Sequence, residues 1–137
     1  EDKEPLFDSV DTAHACLQVL VAMVPNMNFD RERMRKAAQR GHTTATDLAD
    51  YLVCRGMAFR DAHEAVGKAV HLAETCQLEL PDLSLEQLRN ICEHIDSDVF
   101  DVLTLEGSVD SRNHTGGTAP RQVRDAVAAA RQALAVH

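Results

Sequence analysis

ATDLADYLVCRGMAFRDAHEAVGKAVHLAETC, residues 45–76, sets the fold class. Ala45, Leu48, Ala49, Leu52 and Val53 recur at helical spacing, and Gly56 stops the run. After Phe59 a second run, about 60 to 77, places Ala62, Ala65, Val66, Ala69, Val70 and Ala73 on one stripe. Two amphipathic helices joined by a turn this short form a helix-turn-helix-like unit. Thr43 or Thr44 is placed to begin the first of them.

Upstream, Asp30 can cap a basic helix from Arg31 to Arg40, closed by Gly41. Its cations are expected to form a solvated face rather than an anion-binding stripe. Residues 5 to 24 predict another helix, with Pro5 in its first turn and Asp8 complementing the dipole. From Cys16 to Val24 it is apolar nearly all round, so it needs cover on most faces. It reads either as the central helix of a compact bundle or, since a chain of 137 residues would struggle to wrap it, as a helix cut from a large multi-subunit bundle. The start Glu1–Pro5, with no initiator Met, reads as a cut through a longer protein, and its charge at Glu1–Glu4 is not what the apolar region of a signal peptide is expected to show. The densest apolar run, Ala15 to Val24, is broken by Gln18 and stopped by Pro25, about half the length of a bilayer span.

Downstream, Ser84-Leu-Glu-Gln87 is a capping box that opens a helix to about Cys92. Ser97 is placed to cap a short helix, Asp98 to Leu103, and Thr104 another, to Asn113. Gly116-Gly117 breaks the chain, and Pro120 starts a last helix to about Ala135. No alternating Val/Ile/Thr-rich segment occurs, so the fold class is all-α without a substantial sheet.

Composition agrees. Hydrophobic residues make up 45% of the chain and aromatics only 4%, which favours helices packed through aliphatic side chains. A formal net charge of −8 disfavours nucleic acid and anionic lipid as partners. The helix-turn-helix-like unit fits DNA poorly: from Thr46 to His71 four acids face three bases, whereas a recognition helix is basic. Cys16, Cys54, Cys76 and Cys92 are widely spaced in apolar or helical stretches, and are expected to be buried free thiols of a cytoplasmic protein. His14 with Cys16, and Cys92 with His94, stand two apart and diverge on a helix, so no metal site is expected. His63 is expected to pack or hydrogen-bond at a turn, since nothing supplies the partner and pocket a general base needs. Thr115-Gly-Gly-Thr118 lacks the Lys and preceding strand of a P-loop and reads as a tight turn before a helix cap.

Several of these segments together resemble argininosuccinate lyase, a family of the fumarase/aspartase superfamily. Glu1-Asp-Lys-Glu-Pro-Leu-Phe-Asp8 is similar to the family's QEDKE-x-x-FD stretch. Residues 45–53 and 55–63 resemble its ATDLADYLVRKGxPFRxAH signature; Gly67–Val70, Leu83–Leu88, Asp98-Val99 and Gly116–Pro120 follow in order. Cys54-Arg55 stand where Arg-Lys is common, and Ala58 where Pro is common.

The resemblance implies the end of a long bundle helix followed by a small multi-helix C-terminal domain. The boundary falls at residues 1–41 and 42–137. It implies reversible cleavage of argininosuccinate to arginine and fumarate by a homotetramer with no cofactor. A base removes a proton beside a carboxylate, and an acid protonates the leaving guanidinium. The family's catalytic His, its loop serine and its GSSxMPQKxNP signature all precede the matching region, so this segment is expected to be inactive alone. One substrate-binding residue carries over: the lysine of QEDKE corresponds to Lys3, whose ammonium suits a substrate carboxylate. The alternative is a stand-alone helical interaction module that uses the exposed first helix to recruit a partner.

Overall fold

A computed structural model of the chain describes residues 2–135. Glu1, the first residue of the quoted QEDKE match, lies outside them. Every regular element among the described residues is helical. The chain divides into two compact units, Glu1–Met34 and Arg35–His137.

The first unit is dominated by α1, Glu4–Met23, which continues into a 3₁₀ turn at Val24–Asn26. Pro5 sits in the first turn, where its missing N–H costs nothing. Asn26 Nδ2 donates to the Ala22 carbonyl (2.8 Å) and closes the far end. No residue of α1 is buried, and Leu6, Phe7, Leu17, Val19 and Val21 are each more than half exposed. The helix is longer than its densest apolar run. By length and composition alone, Glu4–Asn26 is long and apolar enough to cross a membrane. This differs from the expectation built on Ala15–Val24, because Leu6, Phe7 and Val10 extend the apolar surface past Asp8 and Asp11. Asp30 Oδ1 accepts the Arg33 N–H (3.0 Å) and caps α2, Arg31–Ala38, which spans the division between the units.

The second unit holds the core. Its helices are α3 (Ala45–Cys54), α4 (Phe59–Cys76), α5 (Leu85–Ile91), α6 (Val99–Val102), α7 (Leu105–Asp110) and α8 (Pro120–Ala135), with a 3₁₀ turn at Leu80–Asp82. Helices α3 and α4 pack most extensively. Ala62, Ala69 and Ala73, all fully buried, let the α4 backbone come close to its neighbours. Leu48, Leu52, Leu80, Leu83, Leu88, Ile95, Val99 and Leu103 fill the space between.

Local chemistry sets the ends. Gly56 adopts φ +93°, and the Met57 N–H reaches back to the Leu52 carbonyl (3.1 Å). Gln77 takes the same left-handed position after α4, at φ +56°. Ser84 and Gln87 form the reciprocal capping box of α5 (3.2 and 2.8 Å). Thr104 Oγ1 caps α7 by accepting the Gly107 N–H (2.9 Å). The cap of α6 is Asp98 rather than Ser97, without a side-chain bond, and α7 ends at Asp110, short of Asn113. Gly117 is required at its turn: a Cβ there would run into the Arg112 carbonyl oxygen.

All four cysteines are free, but only Cys92 is buried. Cys54 and Cys76 close the exposed C-terminal ends of α3 and α4, and Cys16 lies on the uncovered α1. Helical spacing identifies a stripe, but membership of an apolar stretch does not bury a residue at its rim.

Candidate functional site

Lys3 is the N-cap residue of α1. Its carbonyl accepts the N–H groups of Leu6 and Phe7 (both 3.1 Å), so its backbone is fixed by the first helical turn. Its side chain is exposed and forms no ion pair among the described residues. An ammonium presented from a helix end, committed to no carboxylate among the described residues, can pair with an external anion.

His63 is exposed on α4, and its ring centroid lies 6.3 Å from that of Phe59 at 42°. No carboxylate partner orients it among the described ion pairs. Gly116 adopts φ +81°, and the Gly117 N–H donates to the His114 carbonyl (2.8 Å), closing a tight turn before α8. Among the described residues, no group of three or more His, Cys, Asp or Glu is arranged to hold a metal ion.

Two polar clusters escape the sequence. In the first, the Arg55 guanidinium grips the segment before α6: it donates to Asp96 Oδ2 (2.6 Å) and to both Asp98 oxygens (2.9 and 2.8 Å). It also lies over the Tyr51 ring, 4.6 Å from the centroid. The Tyr51 hydroxyl donates to Asp98 Oδ1 (2.7 Å) and accepts the Asp96 N–H (3.1 Å). Arg89 holds the other side, donating to Asp96 Oδ1 (2.8 Å) and the Ile95 carbonyl (2.9 Å). In the second cluster, Asp47 is buried on α3, 4% exposed, and accepts from Arg112 Nη1 (2.9 Å). Arg112 also donates to the carbonyl and hydroxyl of Ser108. This pair ties the segment after α7 back onto α3 and keeps a buried carboxylate from standing alone.

These contacts set the acid response. Arg55 and then Arg89 hold the Asp96 carboxyl below the usual range. Tyr51 and then Arg55 do so for Asp98, and the backbone N–H groups of His42 and Gly41 for Glu79. A carboxyl whose folded pKa is depressed stabilises the fold fully above its unfolded pKa, and loses that contribution as pH falls through the folded value. The melting temperature of the chain is therefore expected to stay level near neutrality and to fall once the pH drops below about 4, the unperturbed carboxylate range. Calorimetry from neutral to acid pH checks this, and Glu79→Gln should shallow the fall.

A family model described as argininosuccinate lyase C-terminal matches residues 42–110. The argininosuccinate lyase of Pseudomonas aeruginosa strain LESB58 is 58% identical over 135 residues, 98% of this chain and 29% of that protein. That of Nitrosomonas europaea is 58% identical over 134 residues, and that of Hahella chejuensis 56%, with the same coverage. The chain thus spans about three-tenths of the length of the curated relatives it matches. Among solved structures, a variant of an EDDS lyase with bound fumarate superposes with a TM-score of 0.69 at 29% identity, over 77% of this chain and 23% of that one.

Proposed function

Because the chain belongs to the argininosuccinate lyase family, we propose that it serves as the C-terminal part of an enzyme that reversibly cleaves argininosuccinate to arginine and fumarate in arginine biosynthesis. The observation that carries this reading is identity of 58% across 98% of the chain, reaching both units rather than one motif. The fumarate bound to the EDDS lyase neighbour supports an elimination that releases a dicarboxylate.

In this reaction a base removes a proton beside a substrate carboxylate, and an acid protonates the departing guanidinium. This segment supplies neither group, works without a metal or organic cofactor, and is inactive alone. Its direct contribution is Lys3, which holds a substrate carboxylate and so orients the carbon that loses the proton. Residues 1–41 form the end of the bundle helix and its connector, and 42–137 the C-terminal domain; the family match beginning at residue 42 supports that boundary.

The protein works as a cytoplasmic homotetramer, without nucleic acid or membrane. The uncovered α1 supports tetramer assembly. A helix apolar nearly all round from Cys16 onward, with none of its residues buried among the described residues, needs neighbouring helices. Its membrane-compatible length is met equally by a helical bundle, where Asp8 and Asp11 can keep polar surroundings. A stand-alone interaction module would use the same face.

A chimera tests this reading. The chain is joined to the preceding portion of the Pseudomonas aeruginosa relative in place of that protein's own C-terminal part. It is expected to sediment as a tetramer and to release fumarate from argininosuccinate, whereas the 137-residue chain alone releases none. A folded, tetrameric chimera without activity would overturn the proposal.

A further inference from the structure

We propose that residues 35–43, the last turn of α2 and the turn that follows it, form a releasable strap: two carboxylates hold it to the rest of the second unit, and strain at His42 biases it to open once the Glu79 carboxylate is neutralised. Burial does not hold it. Residues 35–41 and Thr43 are exposed, and His42 is only partly covered. Among the described residues, two sets of side-chain bonds join the strap to other elements of the unit. Arg35 pairs with Glu106 on α7, and the consecutive N–H groups of Gly41 and His42 donate to the Glu79 carboxylate (3.2 and 3.0 Å). The Thr43 hydroxyl donates within the strap, to the Ala38 carbonyl (2.7 Å). The core begins beyond it, at Thr44, which is 4% exposed.

The turn is loaded. Gly41 and His42 are both left-handed, at φ +78° and +54°. Glycine takes that conformation freely, whereas histidine takes it at a cost. A second cost falls on the same residue. The imidazole Nδ1 is buried without a hydrogen-bond partner, 3.3 Å from Glu79 Oε2. A change of φ at His42 relieves both. Opposing that change are the two charge-assisted bonds to Glu79. The Arg35–Glu106 pair adds less, since both side chains are more than half exposed and salt screens them.

Both latches weaken in acid. The N–H groups of His42 and then Gly41 hold the Glu79 carboxyl below its usual range, aided by His42 and Arg40. Arg35 does the same for Glu106. The other carboxylate beside Glu79 is Asp82, which accepts the Glu79 N–H (3.3 Å). A carboxyl with a depressed folded pKa keeps its contribution above the unfolded pKa and loses it as pH falls through the folded value. The strap is therefore closed near neutrality and opens below about pH 4.

This inference does not rest on the lyase reading, since strap and latches lie within one unit and the test uses the chain itself. The ¹⁵N-labelled chain is followed by NMR at neutral pH. His42 is expected to show the strong NOE between its own amide and α protons that a positive φ gives. Glu79→Gln should weaken that NOE and speed amide exchange at Gly41 and His42 about fivefold, while the Leu52 and Leu88 amides keep their protection. Adding His42→Asn, a residue that accepts the left-handed region more readily, should restore the turn. Acid should open the turn of the unsubstituted chain before the core amides respond. Unchanged exchange and NOE at residues 41 and 42 in Glu79→Gln, or core amides that lose protection together with them, would overturn the proposal.

Discussion

Leu52→Ala is expected to destabilise the second unit by about 3 to 4 kcal/mol, the upper part of the range for deleting a buried leucine. Leu52 is 0% exposed and belongs to the core cluster that α3 shares with α4. The cavity cannot collapse easily, because α4 already approaches through alanines: Ala62, Ala69 and Ala73 have no side chain that could swing into the space. A small domain has a total stability of only about 5–15 kcal/mol, so this one change removes a large fraction. At about 4–8 °C per kcal/mol, the melting temperature should fall by well over 10 °C. The neighbouring Val53→Ala, at a position 37% exposed, provides the contrast and should cost less than about 1 kcal/mol. Urea unfolding of both variants measures the difference, and similar midpoints would contradict this view of the core.

The same face shows why much of the fold was legible in the sequence. Leu48, Ala49 and Leu52 on α3 and Ala62, Val66, Ala69 and Ala73 on α4 recur at helical spacing, and all are buried. Asp30, Ser84 and Thr104 were legible because a cap bonds to backbone only three residues away. Arg55 was not. It reads as a variable turn residue, yet its partners Asp96 and Asp98 lie 41 and 43 residues further on, brought to it only by packing of the segment before α6. Asp47 looks like an ordinary first-turn acid, and its burial against Arg112 depends on a return of the chain 65 residues later. His42 is harder still, since a left-handed histidine follows no spacing rule. The candidate substrate residue came from a motif and not from physics: nothing in charge or periodicity separates Lys3 from the other surface lysines.

Lys3→Ala, introduced into the tetrameric chimera, is expected to lower kcat/KM about 100-fold, the loss of roughly 3 kcal/mol for a charge-assisted bond to a buried carboxylate. The chain contributes to that expectation by what Lys3 does not do. Its side chain is exposed and forms no described ion pair, and its structural duty belongs to its carbonyl, which alanine keeps. The substitution should therefore leave the melting temperature and sedimentation unchanged, which separates a binding role from a structural one. If Lys3 holds the carboxylate equally in ground and transition states, the loss appears in KM; if the contact tightens as charge builds on the carbon beside that carboxylate, it appears in kcat. The elimination favours the second outcome, because removing that proton delocalises charge onto the oxygens the ammonium faces. Lys3→Arg keeps the charge on a wider, planar head and should recover part of the rate. A variant with unchanged kcat/KM would remove Lys3 from the site and leave this segment with a purely architectural role in the enzyme.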